Sequence, residues 1–338
     1  MKESGMKYRA FVILLLGLLM MTAVAALCMG QYEIAPKHVL SILVSGVIPH
    51  EAAWTDTMYR VVMYSRLPRV IAAIAVGAAL ALAGAAYQGV FRNPLVSPDL
   101  LGVSHGACVG AAVSILLGLG YGGNVVLAFV GGIVAVGITV LFPTLINKRS
   151  TISLVLSGVI VGGFFSSLLG LLKYVADPDT ELAEITYWQL GSLSKVKADS
   201  LYIILPIMVV TGLVLWLFRW RINVISLGDR EAKTLGIDLQ KERGIIILCA
   251  TLLTAAAICI SGTIGWIGLI MPHLARMVVG QDNQKVLPIS ALLSAIFLVV
   301  VDTTARNLTG AEIPLGIITG FLGTPFFAYV LIRQKNNI

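Results

Sequence analysis

The chain has 338 residues; 58% are hydrophobic and only 12% charged, and the mean hydropathy is +0.93. Soluble domains carry about a quarter charged residues, so a water-soluble globule, a disordered chain and a secreted disulfide scaffold are excluded. The expected fold class is an all-α polytopic membrane protein, in which the net charge of +7 is first a topology signal; no basic face with interleaved aromatics points to nucleic acid.

A helix of ~20 apolar residues crosses the hydrocarbon core, and the sequence offers about ten. The first, 10–29, follows Lys2, Lys7 and Arg9. It exceeds the ~7–15 residues of a signal-peptide h-region, and Cys28 after Ala25-Ala26-Leu27 fits a lipoprotein cleavage site poorly, so an uncleaved helix with a cytoplasmic N-terminus is expected. Residues 31–65, with Pro36 and Pro49, read as an external connection carrying a short helix on the membrane. Spans follow at 70–90, 98–117, 125–146 and 152–175, with Arg92-Asn93-Pro94-Leu95 as a turn after the second and Lys148 and Arg149 in the loop after the fourth. Residues 176–199 are polar, with Asp177, Asp179, Glu181, Glu184, Lys195 and Lys197. Spans at 201–218, 244–260, 266–279, 286–301 and 314–332 complete the set, and the charged loop 219–243 lies between the first two of these. Ten spans place both termini on one side. Sixteen of the 24 Lys and Arg then fall on the N-terminal side, which makes that side cytoplasmic. The whole of 1–338 reads as one transmembrane domain.

Small residues four apart let membrane helices touch backbone to backbone. Gly102, Gly106 and Gly110 form such a row, as do Gly158/Gly162 and Gly316/Gly320. There is no G-x-x-x-x-G-K-[ST], no H-E-x-x-H and no G-x-S-x-G. His38, His50, His105 and His273 are scattered, and Cys28, Cys108, Cys249 and Cys259 sit in apolar stretches as packing residues. No catalytic residue, metal site or bound cofactor is expected. Asp302 lies near a span core with Arg306 one turn later, which allows proton coupling or an intrahelical ion pair. In the 219–243 loop, Ser226-Leu227-Gly228-Asp229 reads as a helix N-cap with an acid at N3, Arg230 to Leu235 as a short helix, and Gly236 as its end. That segment is either a solvated loop or a docking helix for a cytoplasmic partner. A transporter without an energy-converting motif must borrow one, which favours docking. At the outer ends of spans, Arg66, Arg69 and Arg306 could anchor headgroups or meet carboxylates of an external partner.

The ordered set Arg66-Leu67-Pro68-Arg69, Gly77 to Gly84, Gln88, Asn93-Pro94-Leu95, Pro98 and Leu100-Leu101-Gly102-Val103 resembles the FecCD-type permeases. These are the membrane subunits of ABC importers for iron-siderophores, haem and cobalamin. In the second half, Leu227-Gly228, Ala232, Leu235-Gly236, Gly262 through Arg276, Asp302, Arg306, Glu312 through Gly316, Gly320, Gly323 and Pro325-Phe326 agree. The resemblance spans about residues 10–333. It implies ten helices, a second permease subunit (identical or not), two cytoplasmic ATPases that hold ATP and Mg²⁺, and an external substrate-binding protein. It also implies that Arg66, Arg69 and Arg306 meet glutamates of the binding protein. It makes Ser226, Leu227, Gly228, Asp229, Arg230, Glu231, Ala232, Leu235 and Gly236 part of an ATPase coupling loop. Iron-siderophore is the first ligand expected, with haem, cobalamin and molybdate as alternatives.

Overall fold

The computed structural model describes residues 2–45, 54–145, 151–308 and 311–335. Pro49, His50, Lys148 and Arg149 lie outside them. Among the described residues there are only helices: α1 (Lys2–Cys28), α2 (Pro36–Ser45), α3 (Asp56–Arg60), α4 (Leu67–Phe91), α5 (Val103–Leu116), α6 (Gly120–Leu145), α7 (Thr151–Val175), α8 (Glu181–Leu190), α9 (Ala198–Leu217), α10 (Arg219–Leu227), α11 (Asp229–Thr234), α12 (Leu239–Ser261), α13 (Ile267–Val279), α14 (Asn283–Leu308) and α15 (Leu315–Lys335). Seven helices are long and apolar enough to cross a membrane, and α5, α13 and α15 are shorter apolar helices. Together they make up the ten expected. α4, α12 and α14 are the most enclosed, while α1 is the most open.

Several local readings are corrected. The external 31–65 connection carries two helices, and its second half runs unbroken into the next span, giving one helix from Asp56 to Phe91. The junction Val61–Arg66 is a π turn in which Leu67 N bonds Val62 O. Pro68 has no N–H to give to the carbonyl four residues back, and widening the turn absorbs that loss. The span read at 98–117 is broken. A 3₁₀ turn, Pro98–Leu101, ends at Gly102 with φ +80°, and α5 starts afresh. The polar 176–199 segment contains α8.

At 14 and 13 residues, α5 and α13 reach about 20 Å each, short of the ~30 Å core. Each is preceded by non-helical chain, residues 92–102 and 262–266. Such backbone survives at membrane depth only when buried in protein or lining a cavity, and here its polar groups are met from neighbours. Thr139 Oγ1 donates to Leu101 O at 3.0 Å. At the edge of the second segment Ser192 N donates to Ser261 O at 2.8 Å, and within it the Thr263 hydroxyl donates to Gln189 O.

Bare backbone contacts hold the bundle together. A Cβ at Gly106 would strike Gly131 O, and one at Gly110 would strike Leu127 O, so α5 and α6 touch along that pair. Gly84 meets Gly268 O and Gly77 meets Ser294 O in the same way, joining α4 to α13 and α14. Gly102 is not on the Gly106/Gly110 face. It is a left-handed cap beside Gly158 and Gly162 of α7, because the break re-aims it. Gly110→Val is therefore expected to lower the melting temperature of the purified protein, at a cost of about 1–3 kcal/mol. Gly137→Val, with nothing near its Cβ position, serves as the control and leaves the melt unchanged.

Candidate functional site

At the outer end, α1, α4, α14 and the α14–α15 connection meet around Asp302. Arg69 Nε donates to both carboxylate oxygens, at 2.8 and 3.0 Å, and its Nη1 donates to Glu312 Oε1 at 2.7 Å. Arg306 Nε lies 3.5 Å from Asp302 Oδ2, and its Nη2 donates to Ala26 O at 3.0 Å. Arg66 donates to Leu27 O, Cys28 O and Tyr32 O at 2.7, 3.0 and 2.5 Å. The last carbonyls of α1, which have no helical partner, are thus capped by two arginines whose charge suits the negative end of the helix dipole. Three cations face two carboxylates and a helix C-terminus, so the cluster is close to neutral.

This placement differs from an exposed basic rim. Arg66, Arg69 and Arg306 are 4%, 6% and 9% exposed, and their donors are turned inward. The Asp302–Arg306 pair exists, but the tighter partner of Asp302 is Arg69, from a helix 233 residues earlier. A carboxylate held by two cations is poorly suited to carry a proton across the membrane.

At the opposite end, expected from loop charge to be cytoplasmic, the 219–243 loop is a helical elbow. Ser226 does not cap a helix: α10 is helical through Leu227, and Ser226 Oγ donates back to Asn223 O at 2.6 Å. The chain turns instead at Gly228, with φ +147°, and Asp229 opens α11. Gly236, with φ +77°, ends it as read from the sequence, and the Asp238 carboxylate caps α12 by accepting from Gln240 N and Lys241 N. Asp229 is the elbow's lock. Arg243 grips it with two bonds, at 2.6 and 3.2 Å, and Arg92 at the foot of α4 lies 3.2 Å away. Ala232 is fully buried beneath α11, while Leu227 and Leu235 are more than half exposed. Arg230 and Glu231 are also exposed. Two apolar side chains thus project from a charged elbow.

Beside the elbow, a cytoplasmic groove of about 1070 Å³ runs between α4, α10, α13 and α15, past Arg92, Trp220, His273, Arg276 and Tyr329. Arg276 donates to Gln88 Oε1, and Gln88 Nε2 donates to Val96 O and Leu269 O at 3.3 Å. This link ties α4, the entering 92–102 chain and α13 together. Gln88 and Arg276 were legible only as motif positions, because nothing local pairs residues 188 apart. The four cysteines are free thiols, three of them buried.

The Arg243 guanidinium beside Asp229 holds that carboxyl below its ordinary value, with Arg92 and Lys233 adding to it. A depressed pKa stabilises the fold above the unfolded value of ~3.9 and loses that effect as pH falls through the folded value. The elbow is therefore expected to keep its geometry from pH 8 to 5, as read by limited proteolysis, whereas Asp229→Asn loosens it at every pH. At the outer end, Asp302→Ala leaves Arg69 and Arg306 buried without their shared partner. A loss of about 3–5 kcal/mol is expected, read as a collapsed yield of monodisperse protein. Glu312→Gln, at a 36% exposed side chain, costs less than about 1 kcal/mol.

The FecCD transport family matches residues 18–333. The molybdate import permease MolB of Haemophilus influenzae is 37% identical over 95% of this chain and 94% of its own length. A probable iron chelatin transport permease of Helicobacter pylori is 41% identical over 81% and 83%. The hemin transport permease HmuU of Yersinia pestis is 35% identical over 83% and 86%. A solved chain described as a metal-chelate type ABC transporter in an inward-facing conformation superposes with a TM-score of 0.86, at 34% identity, covering 96% of this chain and 99% of that one. Ten apolar helices, a locked cytoplasmic elbow and this match along nearly the whole length agree: the chain belongs to the FecCD transport family, the membrane permease subunits of ABC transporters.

Proposed function

We propose that the protein is the permease subunit of a binding-protein-dependent ABC importer that moves a metal chelate, iron-siderophore first, across the plasma or inner membrane of a prokaryote. The carrying observation is the cytoplasmic elbow. It is held rigid by Asp229, Arg243 and Arg92, and it presents Leu227 and Leu235 to water in a chain that has no nucleotide-binding motif. An exposed apolar pair on a charged, fixed element suits a groove on a partner ATPase. In this reading two ATPases bind ATP and Mg²⁺ and lever the elbow, a second permease subunit completes the pathway, and the bundle alternates between outward and inward openings. Apolar side chains exposed along α1, α7 and α9, such as Ile13, Phe164 and Ile203, face lipid or the second subunit.

An external binding protein would dock at the outer end. Arg66, Arg69 and Arg306 can serve it only by exchanging internal partners. Glu312 is the exposed member of the cluster, so displacing it with a partner's carboxylate is the route by which Arg69 would be recruited. The named relatives are permeases for molybdate, iron chelatin and hemin, and molybdate, haem and cobalamin are the alternative cargoes for this chain. An ion-coupled transporter is the remote alternative, disfavoured by the paired state of Asp302.

The test is purification from the native membrane in detergent, followed by ATPase assay in nanodiscs with and without binding protein. Co-purification of an ATPase stimulated by the binding protein is expected; a chain that purifies alone and moves solute down an ion gradient overturns the reading. With the complex in hand, Leu227→Asp with Leu235→Asp is expected to lower the stimulated rate roughly tenfold or more, equivalent to about 1.4 kcal/mol of lost coupling, while the permease remains monodisperse on gel filtration.

A further inference from the structure

The two broken segments meet. Pro98, in the first, packs against Gly268 at the start of α13, and Gly268 lies against Leu80 O, about halfway along α4. On the other side, Gly102 and the His105 ring sit beside Gly162, about 16 Å into an α7 that is about 37 Å long. The junction is therefore near the membrane midplane. It encloses a cavity of about 300 Å³ whose walls are partly apolar, with Leu80, Ile258 and Leu269, and partly polar, with Asp99, Ser104, His105, Ser166, Gln189 and Thr263.

Three features make this cavity more than a packing defect. His105 is exposed, and an ionisable side chain exposed at this depth faces a water-filled space, not lipid. Asp99 accepts from the Ser104 hydroxyl and has no ion-pair partner among the described residues; His105, Cys108 and Tyr87 are the titratable groups that interact with it. Lys173, outside the lining, donates to Gln189 Oε1 at 2.6 Å. The wall thus holds one carboxylate and no lysine or arginine among its lining residues. Neither the elbow nor the outer cluster uses these residues.

We infer that this midplane cavity is a contact point on the ligand's path, suited to a chelate that presents hydrogen-bond donors or cationic groups, not to a bare oxyanion. The inference rests on the importer reading and goes further, because it selects among that reading's cargo classes. The cavity is smaller than a whole chelate of that kind, so it receives one edge of the ligand as the bundle changes over. Its flanks are the two segments whose backbone is not locked into helix, which lets the walls shift without breaking helical hydrogen bonds.

The experiment uses the assembled transporter in nanodiscs, with Cys28, Cys108, Cys249 and Cys259 replaced by Ser and His105→Cys introduced. The probes are two hydrophilic methanethiosulfonates, one cationic and one anionic, followed by mass spectrometry. Expected are reaction with both, the cationic reagent being faster by about tenfold, loss of that preference on adding Asp99→Asn, and a several-fold change in rate between nucleotide-free and nucleotide-trapped complex. Ser166→Cys, on the α7 wall, should repeat the pattern if His105→Cys assembles poorly. No reaction at either position, equal rates for the two charges, or rates blind to nucleotide overturn the inference. ATPase stimulation by the binding protein is read in the same samples. If stimulation persists while the cysteines are silent, the cavity assignment fails alone; if no ATPase co-assembles, the importer reading fails.

Discussion

Asp302 is the point on which the outer half of the bundle depends. Bringing one carboxylate out of water costs several kcal/mol, and bringing an arginine with it costs as much again. The cost is offset by close pairing: Arg69 grips both oxygens, Glu312 takes a further arm of Arg69, and Arg306 stands behind at 3.5 Å, its Nε making no hydrogen bond. The surplus positive charge of Arg66 and Arg306 is turned onto the carbonyls that α1 cannot satisfy within itself. One carboxylate thereby fixes how α1, α4, α14 and the approach to α15 are arranged. The same arrangement explains why basic residues sit on the side where the positive-inside trend does not want them: they are interior residues, outside the electrostatics of the loops.

The rest of the bundle is held by a different physics. Lipid tails are as apolar as the side chains, so burial gives no drive between helices, and contact must come from close approach. Gly77, Gly84, Gly106 and Gly110 supply it, each set against a neighbour's backbone. That closeness gives the two half-length helices α5 and α13 a firm seat, although the chain before each is not helical. Hydroxyls and backbone groups from other elements, such as Thr139 and Thr263, meet the polar groups those breaks expose.

The two ends of the molecule are built for different tasks. Outside, the charges are internal and nearly neutralised. Inside, Asp229 locks an elbow whose apolar side chains are left uncovered, next to a groove lined by Arg92 and Arg276. A rigid element with exposed Leu227 and Leu235 can transmit a displacement to α10 and α12, because Asp229 ties the elbow both to the start of α12 and to the foot of α4.

Hydropathy is a local property, and through it the sequence by itself determined the membrane class and the ten apolar segments, while the pattern of the charged 219–243 loop gave the end of its short helix at Gly236. The ordered motifs determined the family. What depended on residues far apart in the chain was decided by the tertiary structure. Arg69 meets Asp302 across 233 positions, so the i,i+4 spacing to Arg306 pointed to the weaker of two partners. Gly102 shares a sequence period with Gly106 and Gly110, yet a left-handed turn sets it against α7. Ser226 has the chemistry of a cap, but α10 runs past it and the chain turns at Gly228. Periodicity assumes an unbroken helix, and capping rules assume a known helix start; both assumptions fail where packing against a distant helix sets the break.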